Sequence, residues 1–402
     1  MTLLRPRVDP IPVDASDAEA LIREARRLRR RRWTIGFLVV AVVGAGAGWA
    51  LTSSAHGPAV PTTDATRHHV TRDDFRPGLP LGPYANLTVA GPLAVASSGA
   101  LYVADVDREQ ILVRLPHGRF RVIAGDGKKG VSGDGGPAVD AAFLDIVDMA
   151  VGPDGSLYVV DGDRVRVISP NGVISTIAGL AGTGTSPPCC SSITLPPPIA
   201  NGAPARSVSI DQLNSAAIAL SEQGVLYIST GMQLLRLDAG TLDVIATRAI
   251  GPPYYGQPLP DLGQIAVDAQ GNVDVSGGNG WAIWQVAPNG VATEVASPNA
   301  RRSGGNTSVL ERAPDGVVYG ESGPTFLKLQ GGRATPGYSF PQSPRSSFWL
   351  TYFAFGPNGT AYADEIPGFG AWEPYQQLRI VHDNRSSVLW QQTSAPSAPA
   401  PS

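Results

Sequence analysis

The sequence predicts an all-β fold, a six-bladed β-propeller of four-stranded antiparallel blades, preceded by a single transmembrane α-helix. Three observations carry this expectation. A turn ending in Gly, then a β-rich run usually centred on Tyr, recurs as SSGALYVAD (97–105), PDGSLYVVD (153–161), EQGVLYIST (222–230), AQGNVDVSG (269–277), PDGVVYGES (314–322) and PNGTAYADE (357–365). The turn glycines Gly99, Gly155, Gly224, Gly271, Gly316 and Gly359 lie 56, 69, 47, 45 and 43 residues apart, close to the period of propeller blades. With 47 Gly and 36 Pro but only 16% charged residues, the chain has the composition of short strands and many turns. The third observation is an apolar run near the N-terminus.

Residues 1–32 form a basic segment: nine Arg against five acidic residues make it net +4 in a chain of net −3, leaving −7 for the remainder. An acidic remainder argues against a nucleic-acid partner. Ser16 and Glu19 have capping-box spacing ahead of Leu21, Ile22, Ala25 and Leu28, the apolar face of a short helix. That helix can contact lipid headgroups or simply set orientation.

Residues 33–51 (WTIGFLVVAVVGAGAGWAL) are uncharged throughout and make about 28 Å of helix, one bilayer crossing. Seven Arg crowd the N-terminal side from Arg23 to Arg32, and the next basic residue beyond the run is Arg67. The positive-inside rule places the N-terminus in the cytoplasm and the rest outside, so the expected location is a cell membrane, single-pass. Ala45, Gly46 and Ala47 leave a cleaved signal peptide as the alternative. Gly44 and Gly48 form a GxxxG, through which two such helices can pair as a homodimer.

Residues 52–83 are expected to be a flexible stalk of about 30 Å reach, 84–392 the propeller, and 393–402 (TSAPSAPAPS) a disordered tail. Each repeat reads as four strands. Blade one is PLAVAS, ALYVAD, QILVRL and RFRVIAG, blade two is IVDMAVG, SLYVVD, RVRVIS and VISTIAG, and blade six closes with FAFGP, TAYAD, QLRIVHD and SSVLWQQ. Alternating branched and polar residues between turn signals mark half-buried antiparallel strands. NLTVAG (86–91) is either an extra edge strand against blade six or a lead-in.

The stretch AGDGKKGVSGDGGPAVDAAFLDIVDMAVGPDGSLYVVDGDRVRVISPNGVISTIAG (124–179) resembles the NHL-repeat family in its form with a GDGGPA loop before a blade. A weaker copy, NGAPA (201–205), precedes blade three after a 13-residue insertion. The resemblance is strong over about 93–240 and fades beyond, where Asp274 replaces the Tyr. It implies a six-bladed propeller and, in most members, a binding or scaffold role. The Arg-rich, Lys-poor composition, 28 Arg to 3 Lys, suggests a bacterial source.

In a propeller the loops between second and third strands share a face with the loops between blades. Asp105, Asp107, Arg108, Asp134, Asp161, Asp163 and Arg164 are therefore the candidate binding residues, with Thr230, Ser322 and Glu365 at equivalent positions. Charged loops on a rigid scaffold suit a protein, peptide or glycan ligand, although Asp at a strand end also bonds its own turn. No cofactor is expected: Asp134, Asp161 and Asp163 offer oxygens for calcium but lack the ligand density of an EF-hand loop.

His56, His68 and His69 fall in the stalk, and His117 and His382 in turns on the opposite face. No imidazole is thus placed for a zinc site or a general base, and no catalytic residue is assigned. The alternative function is a metal-dependent lyase or hydrolase, lactonase-like, working in the propeller channel. Cys189 and Cys190 are the only cysteines and are either free thiols or a vicinal disulfide. Tyr254, Tyr255, Trp281, Trp284, Phe369, Trp372 and Tyr375 offer a stacking surface or fill gaps between blades.

Overall fold

The computed structural model describes residues 79–180, 197–210, 216–247, 262–277, 282–296, 309–322, 325–339, 348–357, 359–367, 376–382 and 385–392. The chain divides into two compact units, Met1–Ala59 and Val60–Ser402, and all described residues belong to the second. The stretch 33–51 and the cysteine pair therefore lie outside them. No helix among the described residues is long and apolar enough to cross a membrane.

Blade one comprises β1 (Tyr84–Ala85), β2 (Ala90–Val95), β3 (Leu101–Asp105), β4 (Gln110–Arg114) and β5 (Phe120–Ala124). Blade two follows as β6 (Ile146–Val151), β7 (Leu157–Asp161), β8 (Arg164–Ile168) and β9 (Ile174–Gly179). Blade three has β10 (Ala203–Pro204), β11 (Ala217–Leu220), β12 (Leu226–Ser229), β13 (Gln233–Asp238) and β14 (Thr241–Thr247). In blade four are β15 (Leu262–Val267), β16 (Val273–Gly277), β17 (Ala282–Val286) and β18 (Ala292–Ala296). Blade five holds β19 (Leu310–Arg312), β20 (Val318–Ser322), β21 (Thr325–Gln330) and β22 (Arg333–Ser339). The last blade has β23 (Phe348–Phe355), β24 (Ala361–Pro367), β25 (Gln377–His382) and β26 (Arg385–Gln391). The six sheets are antiparallel meanders, and the predicted four-strand reading of each blade holds.

Each first turn forms for the same reason. The six repeat glycines have φ between +68° and +83°, a region that residues with a Cβ avoid, and each donates its N–H to the carbonyl three residues back at 2.8–3.1 Å. The strand that follows carries the Tyr, which lies opposite an Ala in four blades: Tyr102 and Ala94, Tyr158 and Ala150, Tyr227 and Ala219, Tyr362 and Ala354. A small partner lets the ring lean into the next blade. Tyr102 packs with Met149, Leu157 and Val159, and Tyr158 with Ile218, Leu226 and Ile228. Tyr319, opposite Glu311 rather than Ala, also reaches Phe353, Ala361 and Ala363. The core is thus a set of aromatic wedges between blades.

The first strands neighbour one another in the order β2, β6, β11, β15, β19, β23 and back to β2, which closes the ring around an axis. Among the described residues, closure rests on packing of the terminal blades rather than on an exchanged strand. Leu93, Leu101, Val103 and Leu112 of blade one share one cluster with Ala354 and Leu378 of blade six, flanked by Tyr362 and Trp390. Gln376 Nε2 also donates to Ala90 O at 2.8 Å across this junction.

The chain enters the propeller earlier than the expected boundary at 84. Leu79 is buried in the core of blades one and two, and Gly82 N–H donates to Val122 O at 2.7 Å. The extra edge strand lies on blade one, not blade six: β1 pairs with β5, while 86–89 lead into β2. Blades two and three repeat the device. Gly135 N–H donates to Ile174 O at 2.8 Å and Ile174 N–H to Gly136 O at 3.1 Å, and β10 pairs with β14. The segment before each of the first three blades thus covers that blade's own outer edge.

Candidate functional site

The loop face of blades one and two is organised by carboxylates at strand ends. Asp161 ends β7 and is fully buried. Its Oδ1 accepts the N–H of Leu144 at 2.6 Å and of Asp145 at 3.2 Å, so it holds the entry into β6. Its Oδ2 lies 3.3 Å from Arg166. Burial raises the Asp161 pKa, and Arg166 opposes the rise.

Arg166 sits in the middle of β8 and is itself fully buried. Besides Asp161 it donates to Ala142 O at 2.8 Å, Ser132 O at 2.9 Å and Asp134 Oδ1 at 2.8 Å, and its guanidinium lies 5.1 Å from the Phe143 ring centroid. Asp134, in the GDGGPA loop, also accepts the Thr176 N–H at 3.0 Å. Burial pushes its carboxyl up, but the hydrogen bonds from Thr176 and Arg166 outweigh this and hold it below the usual carboxylate value. One guanidinium therefore nails the loop to blade two.

Asp105 has the same role in blade one. It is fully buried, accepts Thr88 N–H at 2.7 Å and Asp107 N–H at 3.2 Å, and is raised by burial against those bonds and Arg108. Arg108 is exposed and donates to Asn86 O at 2.7 Å; Asp107 is exposed beside it. Asp163 and Arg164 are both buried and paired at 3.2 Å, and Asp163 O accepts Ile210 N–H at 3.1 Å. Of the seven candidates, Asp107, Arg108 and Asp134 thus face solvent, while Asp105, Asp161, Asp163 and Arg164 are inside. A guanidinium between Asp134 and Asp161 leaves this pair unsuited to calcium.

At the equivalent positions, Thr230 is buried and its Oγ1 accepts Gln233 N–H at 3.0 Å, and Glu365 pairs with Arg379 at 3.3 Å. Ser322 ends β20. Trp284 lies on β17 against the core of blades three and four, the gap-filling role. Tyr254, Tyr255, Trp281, Phe369, Trp372 and Tyr375 lie outside the described residues, as do Cys189 and Cys190.

Several residues escaped the sequence reading. Arg166 is one, although an Arg inside an alternating branched strand signals a buried partner. Glu109 is the second: with φ +50° and 1% exposed, it accepts the Ile146 N–H at 3.2 Å and pairs with Lys129 at 2.8 Å. Glu311 is the third, standing opposite Tyr319 where the other five blades have Ala.

Glu311 and Asp148 lie on the first strands of blades five and two, opposite in the ring order. Asp148 accepts Met149 N–H and Ile218 N–H, both at 2.9 Å, and burial pushes its carboxyl up to about 7. Glu311 is pushed up to about 8 by burial and by the Asp148 charge, against a hydrogen bond from the Phe355 backbone and the nearby Arg312. Among the described residues no three His, Cys, Asp or Glu side chains converge as a metal site.

A ring of six four-stranded meanders with carboxylate-pinned loops on one face defines the class: a six-bladed β-propeller. Residues 118–196 match the model of the teneurin NHL domain, so this stretch of the propeller is similar to an NHL domain. Teneurin-3 of Mus musculus is 33% identical over 95 residues, covering 20% of this chain and 4% of that protein, and Teneurin-3 of Danio rerio matches to the same extent. The matched part is thus a small fraction of those relatives.

Among solved structures, a streptogramin B lyase shares 12% identity, covering 76% of this chain and 85% of its own, with a TM-score of 0.47. Virginiamycin B lyase from Staphylococcus aureus shares 11%, covering 76% and 87%, with a TM-score of 0.46. A gluconolactonase from Xanthomonas campestris shares 12%, covering 77% and 87%, with a TM-score of 0.41. These likenesses carry nothing about activity.

Proposed function

We propose that the chain is a membrane-anchored bacterial protein that displays its propeller outside the cell as a binding module for a protein, peptide or glycan. One observation carries this reading: the carboxylates and guanidinium of the loop face hold the loops' own backbone rather than pointing outward. The loops so fixed present Asp107, Arg108, Asp126, Lys128 and Lys129, a mixed-charge rim on a rigid base, which suits selective docking. The anchor is the 33–51 run with its Arg-rich flank, and pairing of two such helices brings two propellers together.

Protease added to intact cells expressing the full chain tests the topology. Digestion beyond residue 51 with 1–32 protected is expected, and full protection overturns the reading. Charge reversal of Arg108 and Lys128 together then weakens crosslinking to the bound partner without lowering Tm.

A second reading has one observation in its favour. Asp148 and Glu311, both raised toward neutrality and electrostatically coupled, are the kind of carboxyl pair that proton-transfer chemistry uses. A lyase or hydrolase working at the axis requires both, and a turnover assay on E311A discriminates it from a binding module.

A further inference from the structure

Blade four breaks the repeat at two positions that touch. Where five blades carry Tyr it has Asp274, and where the same turn opens on Ala96, Gly152, Ser221, Ala313 or Gly356 it has Asp268. The two positions are coupled by space. A Cβ added at Gly152 would lie 3.1 Å from the Tyr158 ring, and one added at Gly356 would lie 3.5 Å from the Tyr362 ring. A side chain at the turn position approaches the ring, most tightly at Gly152, and blade four has replaced both members together.

The result is a buried pair of carboxylates beneath the turn. Asp274 is 0% exposed. Its Oδ1 receives Gln285 Nε2 at 3.2 Å, and its Oδ2 is buried with no hydrogen-bond donor among the described residues. Asp268 is nearly buried and accepts N–H groups of Gln270 at 2.9 Å and Asn272 at 2.8 Å on Oδ1. On Oδ2 it accepts Asn272 Nδ2 at 2.8 Å and Gln285 Nε2 at 3.4 Å. Both carboxylates are thus within reach of one amide nitrogen, and among the described residues no Lys or Arg pairs with either. Asp274 has that one neutral donor and Asp268 only neutral donors, so the buried pair lacks a compensating positive charge.

We propose that Asp268 and Asp274 bind a calcium ion, with the bare Oδ2 of Asp274 as its innermost ligand; the amides of Gln285 and Asn272, which without the ion aim Nε2 and Nδ2 at the carboxylates, turn over by half a rotation to offer it oxygen. Oxygen-only donors of this kind, filled out by water, suit a hard divalent cation. The ion fastens blade four to blade five where Ala269 N–H donates to Gly316 O at 3.2 Å.

The test uses the full chain, titrated with Ca²⁺ after EGTA treatment. A one-to-one binding heat and a Tm raised by several degrees in millimolar Ca²⁺ are expected, and D274N loses at least tenfold in affinity. The double variant D268G/D274Y restores the arrangement of blades two and six, so it folds and its Tm no longer responds to Ca²⁺. A wild-type Tm indifferent to Ca²⁺, or a calcium response retained in D268G/D274Y, overturns the proposal. Stabilisation by acid alone, matched by D274N without calcium, also overturns it and assigns the charge to a shared proton.

Discussion

Arg166 and Asp161 form an ion pair of 3.3 Å in which neither side chain is more than 1% exposed. The same guanidinium reaches Asp134, 32 residues earlier in the chain. The GDGGPA loop is thus held by charge from beneath as well as by its backbone pairing along β9.

R166M removes that tie while keeping bulk. It leaves a buried carboxylate and two loop carbonyls without their donor, and loss of one partner of a buried pair costs about 3–5 kcal/mol. Urea unfolding measures the loss, and proteolysis within 126–136 rises with it. R166K does not rescue, because an ammonium lacks the fork that serves Ser132, Ala142, Asp134 and Asp161 together. Wild-type stability in R166M refutes the role.

The pH dependence follows from three raised carboxyls. Asp148 and Asp364 are each pushed up to about 7 and Glu311 to about 8, burial being the largest cause in all three. Folded values above unfolded ones mean that these groups stabilise fully below about pH 4, and that the contribution is lost as pH rises through 7 to 8. Asp134 is lowered and acts oppositely, losing its contribution as pH falls through its folded value. Tm without added metal is expected to decline from pH 5.5 to 8.5. D364N, which keeps an acceptor for Thr351 and Gln376, flattens that slope; a Tm rising over the window contradicts the assignment.

Ring closure gives a local prediction. Leu378 is fully buried between the terminal blades, and L378A costs about 2–5 kcal/mol. Q376L leaves Ala90 O and Asp364 without a donor they now share at 2.8 Å, at about 1–3 kcal/mol. Hydrogen exchange rises first in β2 and β25 in both variants. Exchange rising instead around blades three and four places the weak seam elsewhere.

Two glycines separate conformation from space. At Gly359, φ is +68° and an added Cβ meets nothing within 4 Å, so G359A costs about 1–2 kcal/mol for the backbone alone. At Gly179, φ is +93° and a Cβ would lie 2.4 Å from Arg164 Cα and 2.5 Å from Asp163 O, so G179A costs about 3 kcal/mol or more. Equal losses in chemical denaturation contradict this.

Much of the fold was legible because a blade is local. Each hairpin of β2 with β3 or β6 with β7 joins strands a few residues apart, and its turn Gly and alternating residues are visible side by side. The candidate loops were legible for the same reason, since Asp105 and Asp161 end Tyr-centred strands. Whether they face a ligand or the interior was not, because that depends on Thr88, Leu144 and Arg166 arriving from other segments.

By itself the sequence determined the blade number, the four-strand pattern and the turn positions, all set by backbone conformation and by side-chain alternation within about 50 residues. Tertiary structure alone decided which charges are buried, how blade one meets blade six, and that Asp268 and Asp274 share the Gln285 amide. Those facts depend on distances between segments far apart in the chain, and burial in a low-dielectric interior then changes what each carboxyl can do.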